Sequence, residues 1–226
     1  AGSASNPEDG SIDFAGSHIG FTDIEKVMLG TGNDTLTGST GNDDVSMGAG
    51  NDVANAGAGN DTIDAGTGAD TVTGGADNDS ISLGAADGAN DVVILANGSG
   101  QDIINQFEAP VLQGDGSYVP HDRLDVSGLN DASGNPVNVA DVVVGSDALG
   151  NAVLTFPNGE SITLIGVAPA TLTIPALIAM GIPSDADLKV DGTAGSDSMG
   201  IGYADVMGDQ IDGADGLNDS IYGYDG

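Results

Sequence analysis

The sequence has no cysteine, only three lysines and arginines together, and aromatic residues at 4% of its 226 positions. Without cysteine there is no disulfide scaffold, no thiol nucleophile and no thiolate metal site. Lys26, Arg123 and Lys189 are too few to form the basic stripe that phosphates require, which argues against nucleic acid as a partner. Residues 1–20 lack a basic start followed by an apolar core, so no N-terminal signal is expected there. The one apolar run of membrane length, 165–183, is broken by Pro169, Pro175, Pro183, Gly166 and Gly181. It reads instead as a turn and a short helix over 174–180, with Thr173 as N-cap and Gly181 as terminator. No membrane span is expected.

What the chain has in excess is acid. Thirty-five Asp and Glu give a formal net charge of -32, a value that usually signals disorder, yet 39% of residues are hydrophobic. The acids are 31 Asp against 4 Glu. Glutamate is the better helix former, whereas aspartate suits tight turns where a short carboxylate bonds backbone or a cation. The charge therefore belongs in turns, and something must neutralise it there.

Residues 29–82 divide without a gap into six nonapeptides: LGTGNDTLT, GSTGNDDVS, MGAGNDVAN, AGAGNDTID, AGTGADTVT and GGADNDSIS. Position six is always aspartate, as Asp34, Asp43, Asp52, Asp61, Asp70 and Asp79. Position eight is apolar throughout, as Leu36, Val45, Ala54, Ile63, Val72 and Ile81. Position four is glycine five times and then Asp77. Glycines at positions two and four permit a tight turn, and the D-x-U-x ending makes a short strand with one inward apolar side chain. One such strand buries too little alone, so the units must stack. With two nonapeptides per coil, Asp34, Asp52 and Asp70 line one edge, and Asp43, Asp61 and Asp79 the other. Carboxylates stacked at a strand spacing of about 4.8 Å repel unless a cation lies between them. Carboxylates with turn carbonyls make a hard-oxygen cage that suits calcium better than zinc or copper.

The repeat resembles the GGxGxDxUx nonapeptide of the RTX family of secreted Gram-negative bacterial proteins, a calcium-binding β-helix repeat. The resemblance implies an all-β fold, a right-handed parallel β-roll of calcium-binding nonapeptides, with type I secretion and folding on extracellular calcium. It also implies the ligand sets. Gly30, Gly32 and Asp34 would pair with Met47, Ala49 and Asp52, and Ser39, Gly41 and Asp43 with Ala56, Ala58 and Asp61. Gly48, Gly50 and Asp52 would pair with Ala65, Thr67 and Asp70, and Gly57, Gly59 and Asp61 with Gly74, Ala76 and Asp79. Only the aspartates would use side chains. Asp91, Asp102, Asp197, Asp209 and Asp219 extend the metal-site expectation to the irregular turns.

Four regions are expected: lead-in strands over 1–28, the roll over 29–106, a β-rich cap with one short helix over 107–183, and the start of a second, truncated tract over 184–226. After Asp79 the period slips, and Ala86-Asp87-Gly88-Ala89-Asn90-Asp91 has a near twin in Ala214-Asp215-Gly216-Leu217-Asn218-Asp219. Both read as an expanded turn. In the cap, residues 142–144, 152–156 and 160–165 read as an antiparallel meander. Phe107, Leu124, Val126, Phe156, Ile162 and Leu164 would supply its small core.

No catalytic constellation emerges. His18 and His121 do not begin an HExxH motif, no serine sits in a G-x-S-x-G elbow, and the G-x-G pairs lead into aspartate, which repels phosphate. The segment is therefore expected not to be an enzyme. Two roles fit: a structural or adhesive module of a secreted or cell-surface protein, or the non-catalytic part of a secreted protease, lipase or polysaccharide-modifying enzyme. Calcium is the expected partner in both, with self-association or cell-surface and matrix contacts as further ones in the first.

Overall fold

The computed structural model describes residues 10–14, 17–21, 26–84, 88–184, 189–191 and 220–222. The chain forms two compact units, Ala1–Ile182 and Pro183–Gly226. In the first, the strands are β1 Gly10–Phe14, β2 Ser17–Phe21, β3 Lys26–Met28, β4 Asp34–Ser39, β5 Asp44–Ser46, β6 Val53–Ala58, β7 Thr62–Asp64, β8 Thr71–Ala76 and β9 Ser80–Ser82. They continue as β10 Val92–Ala96, β11 Gln101–Asn105, β12 Val111–Leu112, β13 Tyr118–Val119, β14 Arg123–Gly128, β15 Val143–Ser146, β16 Ala152–Thr155 and β17 Ser161–Leu164. In the second unit, β18 Lys189–Asp191 and β19 Ser220–Tyr222 pair in parallel.

Successive nonapeptides alternate between two sheets. One has the order β14-β10-β8-β6-β4-β1-β2, the other β15-β16-β17-β11-β9-β7-β5-β3. The nonapeptide strands pair in parallel, as in Thr35↔Val53 and Val53↔Thr71 on one side and Val45↔Ile63 and Ile63↔Ile81 on the other. This is a parallel β-roll, because each coil closes after two turns and lays its strand beside the one eighteen residues earlier.

Alternation along each strand explains what faces inward. Positions six, eight and the following position one share a face at period two. Leu36, Val45, Ala54, Ile63, Val72 and Ile81 are buried, and so are Met47, Ala56 and Ala65 at position one. The stacked columns join one continuous core that runs on through Leu124, Leu154, Ile162 and Leu164.

The sheets run past residue 106. β14 adds to β10 in parallel, and β17 adds to β11 in parallel. Residues 107–183 thus contribute a further strand to each sheet before β16 and β15 turn antiparallel and close the second sheet. At the other end the antiparallel pair β1-β2 closes the first sheet against β4. At each end of the stack one sheet is covered by antiparallel strands, while parallel β14 and β3 are the outer strands of the other sheet there. The meander expected over 142–165 is present, but Phe107, Leu124, Val126, Phe156, Ile162 and Leu164 belong to the core of the roll instead of forming a separate one. The short helix runs Ile174–Ala179, with Thr173 as N-cap and Gly181 at φ +102 after it. Among the described residues no helix is long and apolar enough to cross a membrane.

Candidate metal centres

Each position-six aspartate begins or immediately precedes a strand, in phase with its inward face, which places its carboxylate at the edge of the core. Asp43, Asp52, Asp61, Asp70 and Asp79 are all buried, while Asp34, first in its column, is partly exposed. One carboxylate oxygen reaches back one coil. Asp34 N–H donates to Asp52 Oδ1 at 2.8 Å, and Asp52 N–H donates to Asp70 Oδ1 at 2.7 Å. On the other edge Asp43 N–H donates to Asp61 Oδ1 at 2.8 Å, and Asp61 N–H to Asp79 Oδ1 at 2.9 Å.

The columns do not end where the nine-residue period does. Asp70 N–H donates to Asp91 Oδ1 at 2.8 Å across 21 residues, and Asp79 N–H to Asp102 Oδ1 at 2.9 Å across 23. Asp91 N–H then donates to Asp122 Oδ1 at 3.0 Å across 31. The added residues are absorbed by the turns, and the strand register is preserved, because loop length is cheap while an inward column out of register is not. Asp122 is a member of this system that the sequence reading did not place there. The signal was the D-x-U pattern of Asp122-Arg123-Leu124, which lacks the glycine turn before it.

A second ladder runs in the opposite sense. Asn51 N–H donates to Asn33 Oδ1 at 2.9 Å, Asn60 N–H to Asn42 Oδ1 at 2.8 Å, and Asn78 N–H to Asn60 Oδ1 at 3.1 Å. Gln101 N–H continues it to Asn78 Oδ1 at 2.7 Å. Position-five amides therefore reach forward one coil while position-six carboxylates reach back. Ala69 N–H donates to Asn51 Oδ1 at 3.1 Å, but the methyl side chain of Ala69 has no acceptor to pass the ladder on.

The other oxygen of these carboxylates defines the chemistry. Asp52 Oδ2, Asp61 Oδ2 and Asp79 Oδ2 are buried with no hydrogen-bond partner. Burial raises the pKa of Asp43 and Asp52 from the ordinary value, and it pushes Asp61 up to about 7, Asp79 to about 6 and Asp102 to about 7. Neighbouring carboxylates add to this, with Asp79, Asp43 and Asp77 all acting on Asp61. At a stacking distance near 4.8 Å and an effective dielectric of about 20, each adjacent pair of charges costs roughly 3 kcal/mol.

The structure stacks the turns of each expected ligand set in register. Ala49 N–H donates to Gly30 O at 2.9 Å and Gly32 N–H to Ala49 O at 2.6 Å, which joins Gly30, Gly32 and Asp34 to Met47, Ala49 and Asp52. Thr67 N–H to Gly48 O at 3.0 Å and Gly50 N–H to Thr67 O at 2.9 Å do the same for Gly48, Gly50 and Asp52 with Ala65, Thr67 and Asp70. On the opposite edge Ser39 pairs with Gly57, Ala58 with Ala76, and Gly59 N–H donates to Ala76 O at 3.1 Å. Gly41 lies against Gly59, where an added Cβ would stand 2.7 Å from the Gly41 carbonyl; Gly59 also has φ +118, so no other residue fits that turn well. A Cβ on Gly74 would collide with Asp79 Oδ2, so glycine there makes room for the carboxylate. Asp77 forms its turn with φ +77 despite its side chain. Asp197, Asp209 and Asp219 lie outside the described residues.

Among the described residues no cluster of three or more His, Cys, Asp or Glu gathers to hold a metal. Each coil step offers two carboxylates and a set of turn carbonyls, an all-oxygen donor set. That set and the orphaned buried oxygens fit a hard cation such as calcium.

The family model of the RTX calcium-binding nonapeptide repeat (4 copies) matches residues 19–54, 47–81 and 55–92. No curated protein sequence matches the chain. Among solved structures, the chain is similar to the AlgE6R3 subunit from the Azotobacter vinelandii mannuronan C5-epimerase. The identity is 23% over 76% of this chain and 92% of that one, with a TM-score of 0.27. It is also similar to the AlgE6R2 subunit of the same enzyme, at 22% identity over 70% of this chain and 96% of that one, with a TM-score of 0.24. Residues 19–92, whose aspartate-bearing nonapeptides coil into a parallel β-roll, carry RTX calcium-binding nonapeptide repeats.

Proposed function

We propose that this chain is a non-catalytic structural or adhesive module of a secreted or cell-surface protein, and that its roll folds when calcium reaches it after export. The observation that supports this reading is the pair of aspartate columns, in which Asp52, Asp61 and Asp79 each keep one buried oxygen without a donor. A chain with a formal charge of -32 and three bases has no internal means of neutralising them. Calcium, when bound, supplies the positive charge and ties successive turns together. Within the nonapeptides the holders are Asp34, Asp43, Asp52, Asp61, Asp70 and Asp79, with the turn carbonyls of the four stacked sets. Asp91 and Asp102 prolong the columns.

The energetic logic is that of ligand-coupled folding. The cages do not exist in the unfolded chain, so calcium binding energy is folding energy. Where calcium is scarce the polyanion stays extended, and where it is abundant the chain contracts. Small-angle scattering at pH 8 with increasing calcium tests this. The radius of gyration should fall from about 50 Å, the scale of an unfolded chain of this length, to about 17 Å. A radius that stays constant across the titration contradicts the proposal.

A further inference from the structure

The two aspartate columns end differently. On one edge the last aspartate, Asp122, is buried, and both of its oxygens are used: Oδ1 accepts from Asp91 N–H at 3.0 Å and Oδ2 from Glu108 N–H at 2.7 Å. Glu108 in turn meets His121, with Oε2 3.2 Å from Nδ1. That end is closed by the protein's own donors.

On the other edge the column runs Asp43, Asp61, Asp79, Asp102 and then meets Ile162, which pairs with Asp102 across β11 and β17. No aspartate follows. Two residues before Ile162 stands Glu160, whose longer side chain reaches the preceding turn: Gly98 N–H donates to Glu160 Oε1 at 2.9 Å. Glu160 is only 8% exposed, and its Oε2 is buried with no hydrogen-bond partner. This is the same half-satisfied state as Asp52, Asp61 and Asp79, reached from a different position by a different residue. Of the bases described in the first unit, Lys26 bonds Asp44 and Arg123 stands in the other sheet.

We propose that Glu160 is a ligand of a further calcium site, which closes the Asp43–Asp61–Asp79–Asp102 column above the turn of Gly98, Ser99 and Gly100. The inference rests on the calcium-roll reading and extends it to a residue outside the nonapeptides. Glu160 takes over from the missing aspartate: one oxygen holds the turn in place and the other faces the cation. The turn that ends in Asp102 supplies the remaining oxygens. The site ties residues 156–160 to the roll, so the last strands dock as the column fills.

The test is a count of bound calcium per chain, by native mass spectrometry over a calcium chloride titration of the full chain. Glu160→Gln keeps an acceptor for Gly98 N–H and removes the charge. It should bind one ion fewer than the unaltered chain while showing the same calcium-loaded circular dichroism. Asp115→Asn, in the exposed turn between β12 and β13 outside both columns, should keep the full count. If Glu160→Gln fails to reach the loaded spectrum, Glu160→Asp replaces it, and this shorter acid should bind the last ion at least tenfold more weakly. An unchanged count and affinity in the folded Glu160 variant overturns the proposal. If the unaltered chain binds no calcium, the roll reading itself falls, and the two failures are distinct.

Discussion

Asp61 accepts the backbone N–H of Asp43 at 2.8 Å through one carboxylate oxygen, while its other oxygen is buried without a donor. The first contact fixes the side chain and the second leaves it unsatisfied. A neutral amide would meet the first requirement as well, so the charge at this position is explained only by the second. Repeated along two columns, this relationship makes the roll costly without a cation and well ordered with one.

Position within a column should therefore decide what a substitution does. Asp61 is flanked by Asp43 and Asp79, whereas Asp34 begins its column and is partly exposed. Asp61→Ala should remove two shared sites and an acceptor for a buried N–H, at a cost of about 1–3 kcal/mol for the lost hydrogen bond alone. Asp34→Ala should weaken one site. Calcium titrations followed by circular dichroism should show the larger shift in midpoint for Asp61→Ala. Equal shifts would refute ligand sharing between coils.

Proton competition should follow from burial. Asp61 and Asp102 are pushed up to about 7 and Asp79 to about 6, against an ordinary value of 3.8. A folded-state pKa above the unfolded one stabilises the fold fully only below the unfolded value, and this contribution is lost as pH rises through 6 to 7. Asp115, Asp125, Asp131 and Asp147 are held low by nearby side-chain and backbone donors, so they oppose this only below about pH 4. In chelator the chain should hold more β-structure at pH 5 than at pH 8. Calcium affinity should rise over the same interval as protons leave. A chelated chain that gains β-structure with rising pH contradicts the assignment.

The amide ladder should be improvable. Ala69 interrupts the column that contains Asn33 and Asn51. Ala69→Asn restores an acceptor reaching toward the next coil and should stabilise the calcium-loaded chain by about 0.5–1.5 kcal/mol, while Asn60→Ala should destabilise it by a similar amount. Thermal melts in saturating calcium read both. Lower stability in Ala69→Asn would show that the next turn has no donor to offer.

Much of this arrangement was legible in the sequence because it is periodic. Aspartate at position six and an apolar residue at position eight fix the strand, its inward face and the eighteen-residue partner, as Asp43 and Asp61 show. The position-five asparagines repeat as well, Asn42 and Asn60 standing eighteen residues apart, but an amide in a turn does not announce which backbone N–H it accepts. Where the period slips, the local pattern still marks Asp91 and Asp102, which join the columns, but it does not mark Asp122. Asp122 joins Asp91 across 31 residues, and no local pattern announces a contact whose intervening loop can take almost any length. The strands Arg123–Gly128 and Ser161–Leu164 had the right alternation, yet alternation does not say whether a strand pairs in parallel with the roll or antiparallel in a cap. Glu160 was invisible for the same reason: its role depends on Ile162 occupying the place of an aspartate in three dimensions.

The coupling of charge to fold is read most directly by far-ultraviolet circular dichroism of the chain at pH 8, first in chelator and then across a calcium titration. The columns of Asp52, Asp61 and Asp79 predict a coil spectrum in chelator and a cooperative change to a β spectrum as calcium is added. An equally strong β spectrum in chelator, unchanged by calcium, would contradict it.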